Sequence, residues 1–431
     1  MRQDLRENAL CAFAAAAGCA ATAWLGLYGF AWNDYEVEVR PAYEALVAGH
    51  VAEFLRLVPA YGGSLVERAP FALLPGLWGG GQLAVYRMVA LPCLLAAAAL
   101  GVWLVRRMRF QGRSTLARAV ALGVCVANPI TLRALELGHP EELLGGCLCV
   151  AAVLLAASSA DGRDRSLPAG VLLGLAVANK DWALVAAGPV LLALPAGHRK
   201  RCLLAAGSTA VAVLAPLALV SSGGFASNTA AAATPTASVI FKPWQLWWFF
   251  GHHSALALGP SGLPQPGYRL GPAWVGAVSH PLILACALAI AVALWRRSRR
   301  AALSAQQALL ALALVLLLRC LLDTWDESYY LLPFVLALLA WEIGVDGRRP
   351  PVLALASSVL VWISFQWLEL HASADVQAVF FLAWSVPLAL WLGLRLFSAD
   401  RPARAPERTS TGPARDYETT VSALGRLVNT S

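Results

Sequence analysis

Asp34 is the residue in this chain best placed for acid–base chemistry. It stands in Trp32-Asn33-Asp34-Tyr35, directly after the first apolar block. A carboxylate there can act as a general base, taking a proton from an acceptor hydroxyl. Glu36 is the second candidate for that role. Both also read as ordinary solvated acids of a loop. The chain has three lysines, Lys180, Lys200 and Lys242. A lysine ammonium is a compact charge that suits a phosphate leaving group, which makes Lys180 and Lys242 candidate phosphate ligands. The competing reading of Lys180 is a snorkelling side chain paired with Asp181. For Lys242 it is an interfacial anchor beside Trp244.

His139-Pro140-Glu141-Glu142 opens an apolar segment. Acids in a first helical turn favour the positive end of the helix dipole, which accounts for Glu142. It does not account for His139 and Glu141 standing together, and these two are candidates to hold sugar hydroxyls. His-x-Glu alone is a weak metal signature, and no metal site is assigned. Arg319 lies late in an apolar segment, with Asp323 four residues on as its expected ion-pair partner. Tyr329 follows Asp326 and Glu327, and completes the substrate-binding candidates. Gly79-Gly80-Gly81 lacks the Lys-Ser/Thr of a phosphate loop, and no nucleotide fingerprint stands elsewhere. No cofactor and no soluble nucleotide donor is therefore expected.

The elements that must position these residues are membrane helices. Hydrophobic residues make up 59% of the 431 residues and charged ones only 13%. The apolar residues come in blocks long enough to cross a hydrocarbon core of about 30 Å. This excludes a soluble enzyme, a nucleic-acid-binding module, a disordered chain and an outer-membrane barrel. The net charge of +8 comes as short basic clusters between apolar blocks, as in loops on the cytoplasmic side. Placing those clusters on one side gives about twelve spans with both termini cytoplasmic. The nine cysteines sit in or beside apolar segments without Cys-x-x-Cys spacing, and read as inert thiols.

The expected fold is therefore all-α, a polytopic transmembrane bundle over residues 1–397 in the cell membrane. A disordered, cytoplasmic tail follows over 398–431. Two long extracytoplasmic loops, 31–82 and 222–272, are expected to carry short interfacial helices, in the first loop over Pro41–Leu57. Only 32 residues lie between Arg165 and His198. Two helices of about 16 residues each reach about 24 Å, less than the membrane thickness. The turn Asn179-Lys180-Asp181 should then lie recessed, with Lys180 near the floor of an extracytoplasmic cavity.

In these motifs the chain resembles the GT-C superfamily of integral-membrane glycosyltransferases, most closely the bacterial members of glycosyltransferase family 87. The likeness rests on Asp34 after the first helix, Asn128-Pro129 ahead of Gly138-His139-Pro140-Glu141, and the small-residue helix from Gly170 into Lys180. Pro243-Trp244-Gln245-Leu246-Trp247-Trp248 and Tyr329-Tyr330-Leu331-Leu332-Pro333 complete it. Tyr61–Arg68 departs from the aromatic-proline stretch of the family. The resemblance implies a polyprenyl-phosphate sugar donor, commonly the mannose form. The sugar would pass to a cell-envelope glycolipid or glycan acceptor at the outer face. It also implies a base at Asp34 and a phosphate ligand at Lys180. The rival reading is a transporter or lipid-carrier flippase. That predicts two similar halves, and the short hairpin at Lys180 has no counterpart. A catalytically dead scaffold of an envelope complex is a third reading.

Overall fold

The structure, a computed structural model, describes residues 2–27, 34–59, 61–159, 163–221, 223–224, 226, 240–253, 269–298, 301–345 and 349–398. Trp32, Asn33, most of the 222–272 loop and the tail beyond 398 lie outside the described residues.

The described chain is helical almost throughout. Eight helical segments are long and apolar enough to cross a membrane, and four shorter apolar helices stand between them. They coincide in order with the spans expected from hydropathy. The helices are α1 (Arg2–Leu27), α2 (Arg40–Val47), α3 (Val51–Leu57), α4 (Gly62–Leu73), α5 (Gln82–Phe110), α6 (Thr115–Val126), α7 (Pro129–Leu137) and α8 (Glu141–Ser158). Then come α9 (Ser166–Asn179), α10 (Ala187–Ala193), α11 (Ala196–Val220), α12 (Ala273–Arg297), α13 (Ala305–Leu322), α14 (Leu332–Gly344), α15 (Val352–Trp362), α16 (Leu368–His371) and α17 (Ala374–Ser398). Three two-residue strands pair antiparallel in the order β1 (Ile240–Phe241), β3 (Arg269–Leu270), β2 (His252–His253), with Leu270 opposite both Ile240 and His252.

The bundle is apolar both at its centre and on its outer surface. Its centre is the Leu-rich α13 and α14, buried along almost their whole length, and α8 packs against both. Its outer surface carries bare apolar side chains such as Phe13, Leu219 and Leu394, as a lipid-facing surface must. Prolines stand inside α5, α11, α12 and α17, which membrane helices tolerate when neighbours satisfy the freed carbonyls. All nine cysteines are free thiols.

Two sequence expectations change. The third span is not one helix. Asn128 adopts an extended backbone ahead of Pro129, its side chain accepts a hydrogen bond from the Ile130 N–H at 2.9 Å, and α7 starts afresh. The residue before a proline disfavours the helical region, and asparagine is a strong cap. The first loop also holds one helix more than its pattern suggested. Beyond α2 and α3, residues from Gly62 on form α4, carrying Arg68 inside it.

The short hairpin is as brief as its length required. After the 14 residues of α9, Lys180 takes an extended conformation, a 3-10 turn covers Asp181–Ala186, and α10 runs only 7 residues. Asn179 and Lys180 are both buried.

Candidate active site

Five helix ends, one 3-10 turn and one helix interior deliver the polar residues to one place. Asp34 starts the π-helical turn Tyr35–Val39 ahead of α2. Gly138 ends α7 in the left-handed region, with φ of 95°. A Cβ there would lie 2.5 Å from the Tyr35 backbone nitrogen. Glycine thus allows the α7–α8 turn to press His139 onto the loop that holds Asp34. Glu141 and Glu142 occupy the first turn of α8. Lys180 follows α9, Arg319 is in the last turn of α13, and Tyr329 and Tyr330 form the 3-10 turn Ser328–Leu331. Arg68 comes from within α4.

These side chains form one continuous chain of charge. His139 Nε2 is 3.0 Å from Asp34 Oδ2, and His139 Nδ1 is 2.8 Å from Glu141 Oε1. Lys180 Nζ lies 3.1 Å from both Glu141 Oε1 and Glu142 Oε1. Arg319 Nη2 meets Glu142 Oε1 at 3.4 Å, and Arg68 Nη2 meets Glu141 Oε2 at 3.4 Å. Asn179 donates to the Glu141 carbonyl at 2.9 Å, which ties α9 to α8. Aromatic rings wall the chain. Tyr329 stacks on the His139 ring at 4.6 Å between centroids, Lys180 lies 4.6 Å over Tyr61, and Arg319 sits 4.6 Å from both Trp182 and Tyr330.

Only one end of this chain is open. The Asp34 side chain is 45% exposed, whereas those of Glu141 and Glu142 are fully buried and that of Lys180 is 9% exposed. Beside Lys180 opens a cavity of about 240 Å³, lined in part by Arg56, Asp181, Leu184, Leu214 and Leu217.

The family model of glycosyltransferase family 87 matches residues 63–322. The chain belongs to glycosyltransferase family 87. No curated protein and no solved structure matches it. As a family 87 member it is a membrane glycosyltransferase, which speaks against the transport reading. The matched stretch contains Arg68, His139, Glu141, Glu142, Lys180, Lys242 and Arg319. It leaves Asp34, Glu36 and Tyr329 outside.

The structure groups the expected site residues of this family 87 chain unevenly. Asp34, His139, Glu141, Lys180, Arg319 and Tyr329 come together. Arg319 takes Glu142 as its ion-pair partner rather than Asp323, whose Oδ1 accepts from the Trp325 N–H and faces His280 at 3.5 Å. The extended backbone of Asp323 turns its side chain off the helix, so the four-residue spacing rule does not apply. Lys180 pairs with Glu141 and Glu142 rather than with Asp181. Lys242 pairs with Glu327 at 2.8 Å and lies over Trp325, next to the Tyr329 turn. Glu36 is held by Arg40 at 2.6 Å, away from His139. Glu36→Gln is therefore expected to leave transfer within about twofold, because Glu36 bonds Arg40 and not His139; parallel transfer assays on both proteins in membranes check this.

Residues that the sequence did not single out complete the site: Arg68, Tyr61, Glu142 as a charge partner, and Trp182; Tyr330, quoted there only within a motif, joins them. Arg68 carried one usable signal, a charge inside the apolar stretch from Gly62 to Leu73. Asp34 and Glu141 contact opposite ring nitrogens of His139, so the three cannot converge on one metal ion.

Both ring nitrogens of His139 face carboxylate oxygens, which accept only, so both must donate. The ring is therefore an imidazolium. Burial opposes that charge, but Glu141 and the hydrogen bonds to Asp34 and Glu141 outweigh it and hold His139 up at about 9. An unfolded histidine titrates near 6.5. His139 thus contributes stability that is complete below pH 6.5 and lost as pH rises through about 9. The contribution is of the order of 3 kcal/mol. Thermal unfolding of the purified protein between pH 6.5 and 9.5 should show this loss, and His139→Gln should flatten it.

Proposed function

We propose that the chain transfers a hexose, with mannose the leading choice, from a polyprenyl-phosphate donor to a hydroxyl of a cell-envelope glycolipid or glycan. One observation carries this reading. The buried chain sets four cations, Arg68, His139, Lys180 and Arg319, against three carboxylates, Asp34, Glu141 and Glu142. Of these cations Lys180 also borders the cavity, where it can meet a phosphodiester, which carries one negative charge. The cavity beside Lys180 adds Arg56 together with Leu184, Leu214 and Leu217, a lining suited to an anionic head on an apolar chain.

The reaction is a single displacement. The Asp34 carboxylate takes the acceptor O–H proton, its Oδ2 being held by His139 so that the other oxygen faces the hydroxyl. The acceptor oxygen bonds to the sugar anomeric carbon from one side. The bond from that carbon to the phosphate oxygen breaks on the other, and the anomeric configuration inverts. Polyprenyl phosphate leaves with one more negative charge, and Lys180 with its neighbouring cations stabilises that developing charge. No nucleotide is needed, in keeping with the absence of a nucleotide fingerprint.

The orientation follows from the helix directions. α8 starts at the site and ends toward Arg163 and Arg165, α9 starts there and ends at the site, and α12 ends in Arg296 and Arg297. With the basic ends on the cytoplasmic side of the cell membrane, the site would face outward, with α1 beginning on the cytoplasmic side. The test is sugar transfer in membranes from radiolabelled polyprenyl-phosphate mannose, with polyprenyl-phosphate glucose and a nucleotide-linked mannose alongside. Label incorporation only from the nucleotide sugar would overturn the donor assignment.

A further inference from the structure

We infer that the groove between α9 and α11, at the end of these helices away from Lys180, is a binding site for an anionic glycerophospholipid. The two helices cross closely. A Cβ on Gly170 would lie 2.4 Å from the Cys202 carbonyl oxygen, and one on Gly174 2.4 Å from that of Ala206. Small residues four apart are what let two membrane helices approach to backbone contact. Alongside this crossing runs an open groove of about 600 Å³. Leu167 and Val171 of α9 form one wall, and Leu204 and Ala205 of α11 the other. Lys200 and Arg201 also line it, and Ser208 and Thr209 stand about two turns further along α11.

The occupant follows from place and charge. α11 is the least buried of the eight long spans, so this face is turned to the bilayer and what fills it is lipid. The polar end belongs to the run His198-Arg199-Lys200-Arg201. Asp164 takes up Arg201 at 2.8 Å and faces His198 at 3.4 Å. Arg199 donates to the Leu194 carbonyl. Among the described residues Lys200 has no carboxylate partner, and it is exposed at the groove mouth. One acid among these cations leaves the mouth positive, which favours a headgroup of net negative charge over a zwitterionic one. Basic pockets between helix ends recognise anionic headgroups in this way, at about a fivefold gain in affinity per cation. Gly197 keeps the mouth open, since a Cβ there meets nothing within 4 Å. The acyl chain would run over Val171 and Leu204. This site is separate from the cavity beside Lys180 and does not depend on which sugar is transferred.

Native mass spectrometry of the purified full chain, titrated with phosphatidylglycerol and with phosphatidylcholine of the same acyl chains, tests the assignment. One phosphatidylglycerol should bind at least about tenfold more tightly than phosphatidylcholine. Lys200→Gln should weaken it about fivefold. Gly197→Leu, which adds bulk at the mouth where a Cβ meets nothing within 4 Å, should weaken it severalfold. Arg296→Gln, in a different basic cluster, should leave it unchanged, and inorganic phosphate should not compete. Equal retention of the two lipids, indifference to both groove substitutions, or displacement by inorganic phosphate would overturn the proposal. A unimodal charge-state distribution for each variant shows that it is folded.

Discussion

Asp34→Asn is expected to lower the rate of sugar transfer by about two to four orders of magnitude, the range for loss of a positioned general base. The amide keeps the shape of the side chain, and its oxygen can still accept from His139 Nε2–H, now 3.0 Å from Asp34 Oδ2. What it removes is the ability to take a proton. The loss should therefore fall on kcat, with the KM for the lipid-phosphate donor little changed, because Asp34 lies at the open end of the charge chain and Lys180 stands beyond His139 and Glu141. A structural role for Asp34 would look different. It would lower the amount of folded protein and change both constants together. Steady-state transfer with a radiolabelled donor, normalised to folded protein, separates the two. A variant within threefold of wild type in kcat would remove Asp34 from the chemistry.

The parts of this molecule that could be read in its sequence are those set by local physics. Hydropathy placed the spans, and the short interval between Arg165 and His198 placed Lys180 in a buried turn. The His139 and Glu141 pair stood out because helix capping explained Glu142 and left the other two unexplained. What escaped depends on contacts between distant segments. Arg68 reaches Glu141, 73 residues away, and nothing in its own helix names that partner. Arg319 had a plausible local partner in Asp323, but α8 brings Glu142 to it across 177 residues. Asn128-Pro129 was quoted as a motif, yet its effect, a break in the third span, needed the backbone of the pair. For Arg68 and Arg319 the partner comes from packing between helices, whereas the break at Asn128-Pro129 is local, set by the residue before a proline.

Lys180→Met is expected to abolish transfer and also to unfold much of the protein. Lys180 Nζ lies 3.1 Å from two carboxylates whose side chains are fully buried. Removing one partner of a buried pair strands the other charge, at a cost of about 3–5 kcal/mol. That is a large part of the stability of a typical domain. Arg68 and Arg319 still contact Glu141 and Glu142, but at 3.4 Å each, so they offset only part of it. Loss of activity in this single variant would thus say little about the donor phosphate. Lys180→Met combined with Glu142→Gln separates the two roles. The pair of changes removes one cation and one carboxylate, so the balance of charge in the buried chain is kept. Thermal stability should recover part of the way, since Glu142→Gln also takes from Arg319 its carboxylate partner. Transfer should not, because the cation that meets the developing phosphate charge is still missing, and loss of one such preorganised charge typically slows a reaction about 100- to 1000-fold. Recovery of transfer together with stability would show that Lys180 only holds α9 against α8, and the phosphate would then have to be held by Arg68, Arg56 or Arg319.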